Sequence, residues 1–526
     1  MNNVTAPSLR LSEQQPTPVV VKPEGREWPW TRAFWLGEGD LRPLGLYRFI
    51  VGMVALWDIF KRSFYLREWH TDEGVLPRMA LLEGIARPWR LSLLDALGTT
   101  PMVTLFFIFG AVSAACLAVG YRTRLATFCT WLFVVSVQER NLGVTDSSDT
   151  LYRVMLFWLM FAPAGAAYSL DRALAREPGA WPPRGSQVAL RFMQLQVIIV
   201  YFVTSVTKNG PQWIEGSAAY RALQVWDFAR PTAAFLVEHA GFMARFATWG
   251  TLVLEFALAA LLWYPNIRLR KLLLLGGLML HGFIEATLNV GMFSLMMYSV
   301  YTLFFWPEAM DFIDRRRPRL RAVKEGLVRL AQKLPAPAPH LPAWVGQWQN
   351  TFILGVMGTM MGIILWDQAH EVNNRIPRPP APAVAVMESL SLWQNWKMFA
   401  PNPVFDSGQW TGQGTLTDGT PIDVLAHGAP TFLSPPEGRW WYERWAKYRL
   451  HIRQSDQRGY LAWFGKYLCR QYNNGRRPGE PLLDRFELVY HLKRHRAPWE
   501  PDSPATPTSM WTHYCIKVPD TLKDKS

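Results

Sequence analysis

Residues 101–119 read PMVTLFFIFGAVSAACLAV, nineteen positions without a formal charge. A bilayer core of about 30 Å needs about 20 helical residues to cross it. The stretch therefore predicts a membrane-spanning helix. Eight others predict the same: 43–62, 124–139, 151–168, 190–207, 243–263, 271–288, 291–306 and 350–366. Apolar residues concentrate before residue 367 and polar ones dominate after it, so a mean hydropathy of +0.00 over 526 residues describes neither part. The first span follows a polar leader, residues 1–42, and lacks a small-residue cleavage site, so it does not read as a removed signal peptide.

Composition narrows the class further. Four cysteines exclude a disulfide scaffold, and 18% charged with 14% aromatic residues excludes a disordered chain. The 26 tryptophans suit a membrane protein, because indoles favour the water–lipid interface. No solenoid repeat is present.

Charge orients the bundle. With the N-terminus cytoplasmic, and with Arg124 and Lys271 counted in the loops they border, the inner segments carry 21 Lys and Arg and the outer loops 8. Cytoplasmic loops retain positive charge, so this asymmetry predicts nine spans, a cytoplasmic N-terminus and an extracytoplasmic C-terminal part. In a Gram-negative cell that means the inner membrane, with the C-terminal domain periplasmic. The net charge of +14 then calls for no nucleic acid, since the run Arg315–Arg321 (RRRPRLR) lies where anionic lipid attracts it. The predicted fold is an α-helical polytopic membrane bundle followed by a small α+β extracytoplasmic domain. Its parts are a leader (1–42), a bundle (43–306), a basic cytoplasmic loop (307–349) with the proline-rich spacer 335–342, and a ninth span (350–366). A linker (367–387), the α+β domain (388–497) and a disordered tail (498–526) follow.

Within the domain, WTGQGTLTDGTPIDVL (410–425) alternates around Asp418–Gly419 and predicts a hairpin. Residues 444–453 are expected to add a strand, and 459–474 have helical spacing. Cys469 and Cys515 both lie in this outer part, where a disulfide is permitted.

Ionisable groups inside hydrocarbon are costly and so mark candidate sites. Lys208 ends the fifth span in YFVTSVTKNGPQW; it is either a snorkelling anchor or, with its ammonium destabilised by apolar surroundings, a base. Glu255 lies in the middle of the sixth span. His281 and Glu285 lie at i and i+4 in the seventh, on one helix face, where they either relay protons or fix helix packing. Outer-loop groups include Asp72 in HTDEG (70–74), Arg140–Asn141, Asp146 and Asp149; an outward-opening cavity would gather them. HExxH, CxxC, GxSxG and Walker patterns are absent, so no metal site, serine hydrolase or P-loop reading arises.

Several strings together resemble the horizontally transferred transmembrane (HTTM) domain, which bacterial proteins share with the vitamin K-dependent γ-glutamyl carboxylase. They are LGLYRFIVG with HTDEGVLPR, GYRTRLATFCTWLFVVSVQERN, DTLYRVMLFWLMFAPAGAAYSLD, KNGPQWIEGSAAYRAL and LMLHGFIEATLNVGMFSL, in order over about residues 40–307. The resemblance implies a reduced quinone, vitamin K-like, as ligand. It implies Lys208 as the base, with Trp213 five positions later, and His281 ten residues before Gly291–Met292–Phe293. Asp149 stands where the carboxylase has a histidine, and nothing matches the carboxylase's substrate-propeptide site.

Two functions follow. In the first, a membrane enzyme acts on a reduced quinone or similar lipid, with Lys208, His281, Glu285 and Asp149 catalytic and Glu255, Trp213, Arg140, Asn141 and Asp72 contacting the ligand. In the second, a non-catalytic anchor presents an extracytoplasmic domain to a partner protein through WKMFAPNP (396–403) and Trp440–Trp441–Tyr442. A transporter is the weakest reading, since two repeated halves are not evident.

Overall fold

The computed structural model describes residues 27–85, 87–175, 179–316, 326, 328–329, 332, 343–428, 443–454, 458–501 and 503–516. Most of the leader, the basic run beyond Arg316, the proline-rich spacer and Trp440–Trp441–Tyr442 lie outside the described residues.

A helix satisfies its own backbone polar groups, which is the condition for crossing hydrocarbon. Each of the nine apolar stretches contains a helix, although 151–168 is helical only as far as Phe161. They give α1 (Arg42–Ser63), α2 (Thr100–Val119), α3 (Thr123–Arg140), α4 (Ser147–Phe161) and α5 (Val188–Thr207). After these come α6 (Ala244–Leu261), α7 (Ile267–Thr287), α8 (Phe293–Tyr301) and α9 (Ala343–Val372). Among the described residues, 5 helices are long and apolar enough to cross a membrane: α1, α2, α5, Gly241–Leu261 and Thr351–Val372. The other four are too short for a span or carry too much charge and polarity. Leu105, Ile108, Val112 (α2), Phe246, Val253 (α6), Leu272 and Met279 (α7) point outward. Such a face suits acyl chains and not water.

Connections gather at two ends. At one, Arg42 pairs with Asp40, Asp311 and Asp314, and Asp171 accepts from the backbone N–H of Arg122 and Thr123. At the other, residues 65–81 and Val144 share a core with the C-terminal part, and Arg221 donates to the His495 carbonyl. These are the two sets of loops that charge counting assigned to opposite sides.

The C-terminal part forms an antiparallel sheet of β1 (Asp406–Leu416), β2 (Pro421–Asp423), β3 (Leu483–Arg494) and β4 (Thr506–Tyr514), in the order β2-β1-β3-β4. The hairpin turns at Asp418–Gly419, with Gln413 opposite Asp423. Two helices, α10 (Glu443–Ile452) and α11 (Arg458–Asn473), pack with it.

Three expectations are corrected. Residues 444–453 form α10 and not a strand, because Trp445, Tyr448 and Ile452 fall on one helical face and are all buried. The tail beyond 497 is ordered over β4, which pairs with β3, and Cys469–Cys515 closes a disulfide with Cα atoms 5.6 Å apart. The linker contains a helix, Ala381–Ser389. Nor does the domain hang free. Trp69, from the loop after α1, lies 4.3 Å from Trp445, ring centre to ring centre, inside one shared core.

Candidate functional site

A cavity of about 580 Å³ opens where three parts of the chain meet: the bundle, α10, and an extended strap, residues 391–405. That size lies within the range of small-molecule sites. Polar pairing holds the strap inside the bundle. Arg153 (α4) donates to the carbonyls of Ser391 and Trp393 at 2.8 and 2.7 Å. Gln196 (α5) donates to Gln394 Oε1 at 2.7 Å, and Thr204 to the Trp396 carbonyl at 3.0 Å. Trp213 Nε1 reaches the Phe399 carbonyl at 2.8 Å, and the Gly210 amide reaches the Pro401 carbonyl at 3.0 Å. A Cβ at residue 210 would overlap Asn402, so only glycine admits the strap there. Trp393 is sandwiched by Arg87 and Arg153, 3.4 and 4.0 Å from its ring centre. WKMFAPNP is therefore not a free interaction surface; its Trp396 is fully buried.

Lys208 follows the last turn of α5, and its Nζ donates to both oxygens of Glu255 (α6) at 2.5 and 2.6 Å. The ammonium also lies 4.8 Å from the centre of the Trp213 ring. Both partners of the pair are buried and both line the cavity. Deeper on α5, Tyr201 bonds His281 Nε2 (α7) at 2.8 Å and also the hydroxyl of Tyr301 (α8). Glu255 lies within electrostatic range of both phenols. Tyr301 enters over Gly277, where a Cβ would collide with its hydroxyl.

The lip of the cavity is polar. Asp146 and Asp149 form a capping box at the start of α4: Asp146 accepts from the amides of Ser148 and Asp149, and Asp149 accepts from the Asp146 amide. Burial, then the neighbouring Asp149, raises the Asp146 carboxyl above its usual range. Asp227 is raised too, by burial, against the opposing pull of Arg449. Lys397 pairs with Glu371 at 2.7 Å, and Lys447 is exposed on α10.

Of the residues singled out from sequence, the cavity brings together Lys208, Glu255, Trp213, His281 and, at its lip, Asp146. Glu285 does not join His281; its carboxylate pairs with Arg230 at 2.7 Å and is 42% exposed. Sharing a helix face was not enough, because His281 turns to Tyr201 instead. Asp149 lies beside the cavity, cross-tied to Arg62 at 2.5 Å and to Arg444 of α10. Those arginines also bind Asp58, at 2.7 and 3.4 Å. Burial opposes the Arg444 charge, but Asp149, Asp146 and Asp58 outweigh it and hold its proton far more tightly than usual. Arg140 donates to the Leu76 and Thr71 carbonyls, Asn141 accepts from the Gly143 amide, and Asp72 pairs with Arg78. These three form the junction with the loop after α1 and do not line the cavity. Tyr201 and Tyr301 were missed. The available signal was that Tyr201 precedes Lys208 by seven residues, two helical turns on one face.

Among the described residues no group of three or more His, Cys, Asp or Glu is arranged to hold a metal. The fold and cavity define a helical membrane protein with an interior site capped by its own C-terminal part. The family model of the HTTM domain matches residues 38–308, more than half of the chain, and the chain belongs to that family. It is thereby related to the membrane domain of the vitamin K-dependent carboxylase. No solved structure matches the chain.

Proposed function

We propose that the chain is a nine-span membrane enzyme of the cell inner membrane whose cavity takes a reduced quinone or similar lipid, with Lys208 as base. The N-terminus is then cytoplasmic and the strap and sheet extracytoplasmic. The observation that carries this reading is the Lys208–Glu255 pair, buried at a cavity of ligand size. A base must present a free amine, and the pair supplies one by an internal transfer. The proton moves from Lys208 Nζ to Glu255, turning an ion pair into a neutral amine and a carboxylic acid. Low polarity narrows the gap between those two forms. Lys208 then accepts a hydroxyl proton from the ligand, and the regained ammonium stays beside the oxyanion that results. Glu255, now neutral, does not repel that anion.

The residues fit such a ligand: aromatic and aliphatic walls from Phe228, Phe293 and Ile284, and a buried His281 Nδ1 with no partner among the described residues. When bound, a reduced quinone supplies an anion that reacts with oxygen; one quinol and one O₂ give one epoxide and one water. The test uses protein reconstituted in vesicles with reduced naphthoquinone and oxygen, assaying epoxide by mass spectrometry. Lys208-dependent epoxide supports the reading. No epoxide above empty vesicles, with folding confirmed, rejects it.

A further inference from the structure

We infer that Tyr201, backed by Tyr301, is a positioning residue that holds His281 in the tautomer bearing its proton on Nδ1, so that His281 donates a hydrogen bond to an oxygen of the cavity's occupant. The inference rests on the quinol-type reading above for the occupant, but not for the tautomer.

The hydrogen-bonded chain Tyr301–Tyr201–His281 has two self-consistent directions. In one, Tyr301 donates to Tyr201, Tyr201 donates to His281 Nε2, and the imidazole proton sits on Nδ1. In the other, His281 donates from Nε2 to Tyr201, Tyr201 donates to Tyr301, and the Tyr301 proton has no acceptor among the described residues. A phenol is a better donor than a neutral imidazole N–H, and an imidazole nitrogen is a better acceptor than a phenol oxygen. The first direction matches the strong donor with the strong acceptor. It leaves unused only weak acceptor capacity on Tyr301 and one N–H on His281, whereas the second strands a hydroxyl proton and a basic nitrogen inside the bundle.

The histidine is 2% exposed, it forms part of the cavity wall, and its Nδ1 is buried without a partner among the described residues. A buried N–H of this kind is ordinarily paired. The cavity is where its partner would come from, and the group it calls for is an oxygen acceptor. Tyr201 lies two turns, about 10 Å, deeper along α5 than Lys208. The cavity thus offers an amine that removes a proton at its upper part and a fixed N–H donor below. A ligand with a hydroxyl and a second oxygen carries the chemistry that both groups call for.

Nitrogen-15 NMR on reconstituted, histidine-labelled protein reads the tautomer without any ligand, with the His281 signals identified by their loss in His281→Asn. A protonated Nδ1 and an unprotonated Nε2 are expected, with mixed tautomers in Tyr201→Phe. A proton on Nε2 in the wild type overturns the inference. Anaerobic binding of reduced 2-methyl-1,4-naphthoquinone reads the consequence. Tyr201→Phe is expected to weaken binding about tenfold, as the loss of one oriented hydrogen bond does. His281→Asn keeps a donor near the Nδ1 position, so Tyr201→Phe should have no further effect in that background; an equal loss there overturns the inference. Tyr301→Phe, which leaves the Tyr201–His281 bond in place, should cost less than Tyr201→Phe. If the wild type does not bind the quinol, the functional reading fails, and the NMR result alone decides the role of Tyr201.

Discussion

Lys208–Glu255 and the cluster Asp58–Arg62–Asp149–Arg444 are both buried charge groups at the end of the bundle capped by the C-terminal part, yet they are built differently. Asp149 is tied to two arginines and to a backbone amide, and both arginines also hold Asp58. Every charge there is met from several sides, across three elements. Lys208 has one carboxylate and one aromatic ring, and it borders open space. A charge met from all sides fixes structure, because changing its protonation disturbs every partner. A charge met from one side beside a cavity can change its protonation and meet a ligand.

The largest expected effect breaks this contrast most directly. Lys208→Met should lower turnover of reduced naphthoquinone by about 100- to 10,000-fold, the usual contribution of a positioned base. Its effect on melting in detergent should be small, because Glu255 takes up a proton from the cavity once its partner is gone. Arg444→Met should do the reverse in kind. It leaves two carboxylates facing one arginine and should destabilise the protein by about 3–5 kcal/mol, seen as a lower melting temperature and faster proteolysis of the C-terminal part. Equal stability losses in the two variants would dissolve the distinction.

Removing the disulfide sharpens it further. Cys469→Ser with Cys515→Ser opens a loop of 46 residues and should cost about 2–4 kcal/mol, confined to the sheet and α11. Limited proteolysis should detect this as earlier cleavage within 458–516, with the bundle unaffected. The smallest effect is on pH. Burial, then Lys466, lowers His513 to about 4, against about 6.5 unfolded. The unfolded chain binds the proton first, so His513 costs nothing above about pH 6.5, and stability falls as pH drops towards 4. The loss should be on the order of 1 kcal/mol, because solvent screens a partly exposed ring. Denaturation of His513→Asn across that range should be flatter.

Much of the bundle was legible because long apolar runs have one solution in lipid, and each of the nine runs contains a helix. The strap was not. WQNWKMFAPNP lacks periodicity, and its anchoring is done mostly by backbone carbonyls, which every residue possesses. Residues 444–453 read as a strand because alternation and helical spacing overlap in a segment so short; the burial of Trp445, Tyr448 and Ile452 together decides it. Within the site, Lys208, Glu255 and His281 stood out because charge and imidazole are rare in hydrocarbon. Tyr201 and Tyr301 did not, since a phenol within an apolar run resembles any other aromatic residue. Glu285 misled because i and i+4 spacing brings two side chains near each other without saying which other helix competes for them.

The threading of the strap also bears on how the molecule is made. Bundle helices emerge from the ribosome first, yet the cavity they surround gains part of its wall only from residues 393–404 and from α10, segments that begin 85 and 135 residues beyond the HTTM-matched region. During synthesis the Lys208–Glu255 pair would stand open until those late segments dock. Assembly of the site is thereby coupled to completion of the chain, so a truncated product would insert in the membrane without acquiring a closed site.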